Sequence, residues 1–180
     1  MRQQVSNNLR IILIGVSGSG KTTIGKLFSK YFKFKFIEGD NYHPMSSKIK
    51  MQKGVPLNRS DRVIWHIKIQ KKLDLHRSWV LSCSALGKWQ RKILFKKNKS
   101  LFFIHCKCDE TILAKRLDMR TGHFFPASLL SSQLCSFENP RDIPVLKTSL
   151  SKSQCLRKIF LITENQSQSF SNYRSDLSRL

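Results

Sequence analysis

The chain has 180 residues and a formal net charge of +22, from 33 Lys and Arg against 11 Asp and Glu. This length suits one domain, and a hydrophobic content of 40% excludes a disordered chain. The basic residues are scattered in short pairs, without a zinc finger, an RNA-binding aromatic signature or a long basic arm. Charge alone informs on partners rather than on fold, so we predict an enzyme that handles anions and disfavour nucleic acid as its partner.

Two features bear on where the protein works. The first apolar run, at 11–14, is too short for a membrane span or a signal-peptide core. The cysteines are odd in number and lack metal-ligand spacing, which predicts reduced and mostly packed thiols. They are Cys83, Cys106, Cys108, Cys135 and Cys155. We therefore expect a cytoplasmic protein without a membrane partner.

Strand-like and helical patterns alternate along the chain. In chain order the predicted elements are a strand at 9–16, a helix at 22–32, a strand at 35–37, helices at 46–53 and 62–76, a strand at 79–82, a helix at 88–97, a strand at 101–106, helices at 109–119 and 128–137, a strand at 145–148 and a helix at 154–162. Ser60 or Asp61 is the predicted cap of the helix at 62–76. Residues 165–180 are polar and predict a disordered tail, which leaves one domain at 1–164.

This alternation predicts an α/β fold in three layers, with a parallel sheet covered by helices on both faces. Ligands of such folds bind at the carboxyl ends of the strands. The polar segments discussed below follow the strands that end near Val16, Ile37 and Ser82. We therefore expect them to meet at one edge of the sheet.

Residues 15–22 read Gly-Val-Ser-Gly-Ser-Gly-Lys-Thr, which matches the Walker A pattern of P-loop NTPases. A strand precedes the motif and a helix follows it, as the motif requires. Glycines allow a tight loop whose backbone N–H groups surround phosphate oxygens at a positive helix end. The predicted ATP-binding residues are Gly15, Val16, Ser17, Gly18, Ser19, Gly20, Lys21, Thr22 and Thr23.

Within this motif, Lys21 is predicted to contact the β- and γ-phosphates, and Thr22 to ligate Mg²⁺. The motif alone leaves ATPase, GTPase and small-molecule kinase open. No guanine-binding Asn-Lys-x-Asp occurs, and no apolar run ends in Asp-Glu. Those absences favour a metabolite kinase that uses ATP and Mg²⁺.

Two carboxylates follow the second strand. Asp40 is predicted to orient the acceptor hydroxyl or to accept its proton, and Glu38 to hold Mg²⁺ through a water molecule. A strand-end Asp is more often a helix cap, so the neighbouring sequence has to decide between these interpretations.

That neighbouring sequence resembles the gluconokinase family of P-loop sugar-acid kinases, which are related to shikimate and adenylate kinases. The resemblance runs from about 11 to 140. It includes the Walker A motif, Glu-Gly-Asp-Asn-Tyr-His-Pro at 38–44, Lys-Met at 50–51, Gly-x-Pro-Leu-Asn at 54–58 and Asp-Arg-x-x-Trp at 61–65. Further on, Cys-Ser-Ala-Leu at 83–86, Arg-x-x-x-Arg-x-Gly-His-Phe-Phe at 116–125 and Ser-Gln at 132–133 follow in order.

The resemblance implies phosphorylation of D-gluconate by ATP to 6-phospho-D-gluconate, and it is compatible with a homodimer. By position, Asp40 serves as base, and Arg116 and Arg120 belong to a lid at about 116–135 that closes over the γ-phosphate. The implied acceptor-binding residues are Asp40, His43, Arg62, Arg91 and His123. The structural alternatives are a turn for His43, an interaction with Asp61 for Arg62, and a solvated helix face for the lid arginines.

The chain departs from the family pattern after Leu86. The pattern has Lys, Tyr and Arg where Gly87, Gln90 and Phe95 stand. The ATP half of the site therefore matches the family more fully than the acceptor half. Two alternatives stay open: a kinase for shikimate or a nucleoside monophosphate, and a decayed kinase that binds nucleic acid through its basic surface.

Overall fold

The structure is a computed structural model that describes residues 9–95, 101–119 and 124–164. Within these residues, five strands form one parallel sheet in the order β2-β3-β1-β4-β5. The strands are β1 (Arg10–Ile14), β2 (Lys35–Glu38), β3 (Trp79–Ser82), β4 (Leu101–Lys107) and β5 (Val145–Lys147). The predicted α/β fold with a parallel sheet is confirmed.

Seven α-helices lie within the described residues. They are α1 (Lys21–Phe32), α2 (Met45–Gln52), α3 (Arg59–Leu73), α4 (Lys88–Phe95), α5 (Glu110–Asp118), α6 (Leu130–Cys135) and α7 (Lys152–Glu164). Short 3-10 turns occupy Gly39–Tyr42 and Ala127–Leu129. No helix among the described residues is both long and apolar enough to cross a membrane.

The core has two parts, one on each face of the sheet. On one face, α1 and α7 pack through side chains such as Phe28 and Phe160. On the other, α3 and α4 pack through side chains such as Trp65 and Leu94. The four residues Ile11 to Ile14 of β1 are fully buried, because helices cover this central strand on both sides. This sandwich fixes the carboxyl ends of β1, β2 and β3 beside one another.

Helix α3 begins earlier than its apolar spacing predicts. Asn58 is the N-cap: its side chain accepts a hydrogen bond from the Asp61 N–H at 2.9 Å, and the Asp61 carboxylate accepts the Asn58 N–H at 3.1 Å. This reciprocal capping box satisfies two N–H groups that the first turn would leave unpaired. The predicted cap at Ser60 or Asp61 is therefore wrong, since Asp61 is the third helical residue.

All five cysteines lie within the described residues and are free thiols. Cys83, Cys106 and Cys155 are buried, whereas Cys135 is exposed. Burial raises the pKa of Cys106 to about 12, so this thiol stays protonated. The predicted reduced and mostly packed thiols are confirmed. The predicted tail at 165–180 lies outside the described residues.

Candidate active site

The loop between β1 and α1 turns sharply at Gly15, where φ is 140°. A Cβ at this position would lie 2.6 Å from the backbone oxygen of Cys106 in the neighbouring strand β4. Only glycine permits this approach. The loop therefore starts close against β4 before it reaches α1.

Lys21, the first residue of α1, folds back over this loop. Its Nζ donates a hydrogen bond to the Val16 backbone oxygen at 2.8 Å. Burial lowers the pKa of Lys21 from its ordinary value, and the nearby carboxylates of Asp40 and Glu38 oppose that change. An ammonium held inside the loop is suited to bind phosphate oxygens.

Thr22 joins the loop to β2. Its Oγ1 donates to the Glu38 Oε2 at 2.7 Å and lies 3.4 Å from the Ser82 Oγ at the end of β3. Burial raises the pKa of Glu38, and the negative charge of Asp40 raises it further. Three oxygen-bearing side chains thus gather beside Lys21, and oxygen ligands are the kind that Mg²⁺ takes.

Asp40 lies in the 3-10 turn after β2, and Trp65 of α3 fixes that turn. The Trp65 Nε1 donates to the Gly39 backbone oxygen at 2.7 Å. A Cβ on Gly39 would lie 2.6 Å from the Ser82 backbone oxygen, so only glycine lets the turn approach β3 this closely. A buried tryptophan thereby places the Asp40 carboxylate.

His43 stacks on Trp65 with ring centroids 3.9 Å apart. Its Nε2 lies 4.0 Å from the Asp40 Oδ1. Burial lowers the pKa of His43 to about 4, so the ring is neutral at physiological pH despite the opposing effect of Asp40. His43 is therefore a neutral neighbour of Asp40 rather than its counter-ion.

Two cavities meet at the loop. The loop cavity is lined by Ser17, Gly18, Gly20, Lys21, Thr22, Thr23, Ile24, Asp40, Arg116, Thr148, Leu150, Ser151 and Lys152. The lid cavity is lined by Ser17, Lys21, Asp40, His43, Met51, Pro56, Leu57, Arg62, Trp65, Ser84, Leu86, Gln90, Phe124, Phe125, Leu129, Ser132 and Gln133. Ser17, Lys21 and Asp40 line both, so a group bound in one cavity can reach a group bound in the other.

Arg116 of α5 closes one side of the loop cavity. One terminal nitrogen, Nη1, donates to the Gly18 backbone oxygen at 3.3 Å, and Nη2 donates to the Thr148 backbone oxygen at 3.1 Å. The guanidinium therefore bridges the Walker A loop and the segment after β5. This position beside the loop agrees with a lid arginine, whose contact with phosphate stays a prediction.

The other two predicted arginines have different surroundings. Arg62 lines the lid cavity, and its Nε donates to the Leu57 backbone oxygen at 3.1 Å. Arg91 is buried and donates to the backbone oxygens of Ala85, Leu86 and Glu138 at 3.1, 2.7 and 3.0 Å. Arg62 thus lines the lid cavity, and its contact with an acceptor stays a prediction, whereas Arg91 holds the β3–α4 loop and does not line that cavity.

The predicted loop residues do not all line the loop cavity. Gly15, Val16 and Ser19 shape the turn instead, and Ser19 is fully buried. Arg120 and His123 lie outside the described residues, so their predicted roles are not addressed by the geometry. Phe124, in contrast, meets the His43 ring edge-on at 5.8 Å, which brings the segment before α6 close to His43.

Gln133 of α6 and Gln90 of α4 are site residues to which the sequence assigned no role. The Gln133 Oε1 accepts a hydrogen bond from the Ser17 N–H at 2.7 Å and ties the lid segment to the Walker A loop. Gln90 lines the lid cavity beside the buried Arg91. The family motif Ser-Gln at 132–133 already pointed to Gln133, but no local pattern indicates Gln90.

Known proteins with similar sequences and structures identify the family. The Shikimate kinase family model matches residues 17–127. A probable gluconokinase of Xenopus tropicalis is 33% identical over 187 residues, covering 87% of this chain and 98% of that protein. The thermosensitive gluconokinase of Escherichia coli K12 is 41% identical over 135 residues, covering 72% of each chain.

A solved structure extends the likeness to three dimensions. The crystal structure of a gluconokinase from Sinorhizobium meliloti 1021 has a TM-score of 0.75 and 33% identity, covering 89% of this chain and 98% of that one. The match therefore extends over most of both chains rather than over the Walker A loop alone. The chain belongs to the gluconokinase family of P-loop kinases.

Proposed function

We propose that the protein transfers the γ-phosphoryl group of ATP to D-gluconate, giving 6-phospho-D-gluconate and ADP. The observation that carries this proposal is the junction of the two cavities at Lys21 and Asp40. A cation for the phosphates and a carboxylate for the acceptor hydroxyl stand there together. The choice of gluconate as the acceptor comes from the names of the gluconokinase relatives.

The triphosphate of ATP lies in the loop cavity in this proposal. Backbone N–H groups of the loop and the Lys21 ammonium bind the phosphate oxygens. Arg116 borders the same space, so its positive charge is near the phosphates. Fixed charges aimed at the transferring group stabilise the negative charge that spreads over its oxygens.

Thr22 and Glu38 are the residues that would hold Mg²⁺. Their side-chain oxygens are adjacent and fit a hard cation, although the described residues contain no group of three His, Cys, Asp or Glu that could hold a metal by themselves. Most of its ligands would therefore come from phosphate and water. When bound, Mg²⁺ would neutralise part of the charge on the β- and γ-phosphates.

Gluconate occupies the lid cavity, with its terminal hydroxyl at Asp40. As the hydroxyl oxygen forms its bond to the γ-phosphorus, the bond from that phosphorus to the bridging oxygen of ADP breaks. The hydroxyl proton passes to Asp40. Arg62, which lines this cavity, binds the carboxylate in this proposal, and Phe124 and Phe125 exclude water from the reacting groups.

The test is a coupled ADP-release assay in which gluconate, shikimate and a nucleoside monophosphate are compared as acceptors. We expect gluconate to give a kcat/KM at least about tenfold above the other acceptors. Direct detection of 6-phosphogluconate confirms the product. Background turnover with gluconate by a preparation that binds ATP would refute the proposal.

A further inference from the structure

Gln90 has one end of its side-chain amide fixed by the backbone. Its Oε1 accepts a hydrogen bond from the Gly87 N–H at 2.6 Å. Gln90 is the third residue of α4 and Gly87 precedes the helix, so this bond is half of a capping box. Gly87 has no side chain to complete it.

This hydrogen bond identifies which end of the Gln90 amide is the oxygen and which is the nitrogen. The Gly87 N–H is a donor only, so the atom facing it has to be the oxygen. The other end is then the Nε2 amide, a group with two hydrogens to donate. It is buried, and within the described residues it has no hydrogen-bond partner.

An unpaired buried donor is costly and needs an explanation. Gln90 as a whole is 1% exposed and lines the lid cavity, together with Arg62 and Gln133. A ligand oxygen in that cavity would give the Nε2 group its missing acceptor. A sugar acid offers such oxygens along its whole length.

Gln90 also stands where the chain departs from its family. The Gln90 Oε1 would lie 3.3 Å from a Cβ at Gly87, and the Trp89 Nε1 would lie 3.0 Å from it. A larger residue at 87 would therefore crowd the amide that Gly87 now fixes. Gly87 and Gln90 both depart from the family pattern, and the small residue at 87 leaves room for the side chain at 90.

We propose that Gln90 is an acceptor-binding residue whose Nε2 donates a hydrogen bond to an oxygen of the sugar acid in the lid cavity. This inference rests on the proposed function and adds a specificity-determining contact to it. It also accounts for the position of Arg91, which holds the loop before α4 and leaves acceptor binding to its neighbour.

The test compares Gln90→Glu with Gln90→Met. The glutamate variant keeps an oxygen for the Gly87 N–H but replaces the donor with a second oxygen, whereas the methionine variant removes both. The matched control is Gln154→Glu, because Gln154 is the third residue of α7 and its Oε1 accepts the Ser151 N–H at 3.0 Å in the same way. Gln154 lines neither cavity.

We expect both Gln90 variants to raise the KM for gluconate about fivefold, the effect of one lost neutral hydrogen bond. The KM for ATP should change less than about twofold. Gln90→Glu should lower the melting temperature, because it places a carboxylate at a position that is 1% exposed; the split between the two KM values therefore carries the test. Gln154→Glu should leave every parameter unchanged.

Three results would overturn the inference. An unchanged KM for gluconate in both Gln90 variants overturns it and leaves the proposed function standing. Equal increases in the KM for gluconate and the KM for ATP in both Gln90 variants assign Gln90 a structural role only. Background activity of the unmodified chain with gluconate refutes the proposed function and this inference with it.

Discussion

The loop cavity and the lid cavity share Lys21 and Asp40 but are built in different ways. Most residues that line the loop cavity come from one continuous segment, 17–24, with a smaller contribution from Arg116 and the residues after β5. The lid cavity draws on α2, α3, α4, α6 and the loops between them. Phosphates can be bound by the N–H groups of one tight turn, whereas a polyol needs side chains collected from several elements.

The two cavities also differ in electrostatics. Lys21 and Arg116 supply positive charge around the loop cavity. The lid cavity has Arg62 at its wall, but its other polar side chains include the neutral His43, Gln90 and Gln133. Charge suits the triphosphate, and directional neutral hydrogen bonds suit hydroxyl groups. Three experiments sharpen this comparison.

The largest effect is expected at Asp40, where the cavities meet. Asp40→Asn should lower kcat by about 10² to 10⁴-fold, the usual contribution of a positioned acid or base, with each KM within about threefold. Steady-state kinetics with each substrate varied in turn measures this. Asp142→Asn, at an exposed carboxylate, is the control. An unchanged kcat in Asp40→Asn would show that Asp40 is not the base for phosphoryl transfer between the two cavities.

Arg116 and Arg62 provide a reciprocal pair of variants. Arg116→Gln should raise the KM for ATP about tenfold, and Arg62→Gln should do the same for gluconate, because each removes one charged donor from one cavity. Each variant should leave the other KM nearly unchanged. Lys115→Gln and Lys68→Gln, on exposed positions of α5 and α3, are controls. If either variant raised the KM for ATP and the KM for gluconate equally, the assignment of one substrate to each cavity would be wrong.

The smallest effect concerns stability. Burial lowers the pKa of His43, His66 and His105 from 6.5 to about 4. The unfolded chain then binds more protons between these pH values, so the free energy of unfolding should fall as the pH decreases from about 6.5 to 4. The rings of His43 and His66 both contact Trp65, so hydrogen exchange should rise first around Trp65 as the pH falls.

His66→Gln isolates one of these histidines. Urea unfolding at several pH values should give a slope of stability on pH that is smaller by about 1 kcal/mol per unit, close to the value for one proton. Lys68→Gln on the same helix should keep the original slope. An unchanged slope in His66→Gln would mean that this ring is not held neutral by its surroundings.

Local patterns predicted much of the fold. The strand β3 was predicted with its exact bounds, and the other strands within two residues, because buried parallel strands are short β-branched runs. Helix ends were less accurate. The start of α3 depends on the side chain of Asn58, which the apolar spacing does not include. The family resemblance was confirmed, and it came from the order of several motifs rather than from any one of them.

Arg91 and Gln90 show where reading the sequence alone reached its limit. The family resemblance implied that Arg91 binds the acceptor, yet its donors meet three backbone oxygens. Gln90, one residue away, has the donor without a partner among the described residues. Adjacent helix residues point in directions about 100° apart. Which of them faces the cavity is therefore decided by how α4 packs, not by residue type.

The sequence by itself determined the strand and helix segments whose alternation predicts a parallel sheet, the Walker A loop and the carboxylate at Asp40, because each depends on residues that are close along the chain. Only the tertiary structure decided which side chains line the lid cavity. It joined Gln133 to Ser17 across 116 positions, and it placed Trp65 beneath the turn that carries Asp40. Contacts between distant segments depend on helix packing over the sheet, and that geometry is a property of the whole core.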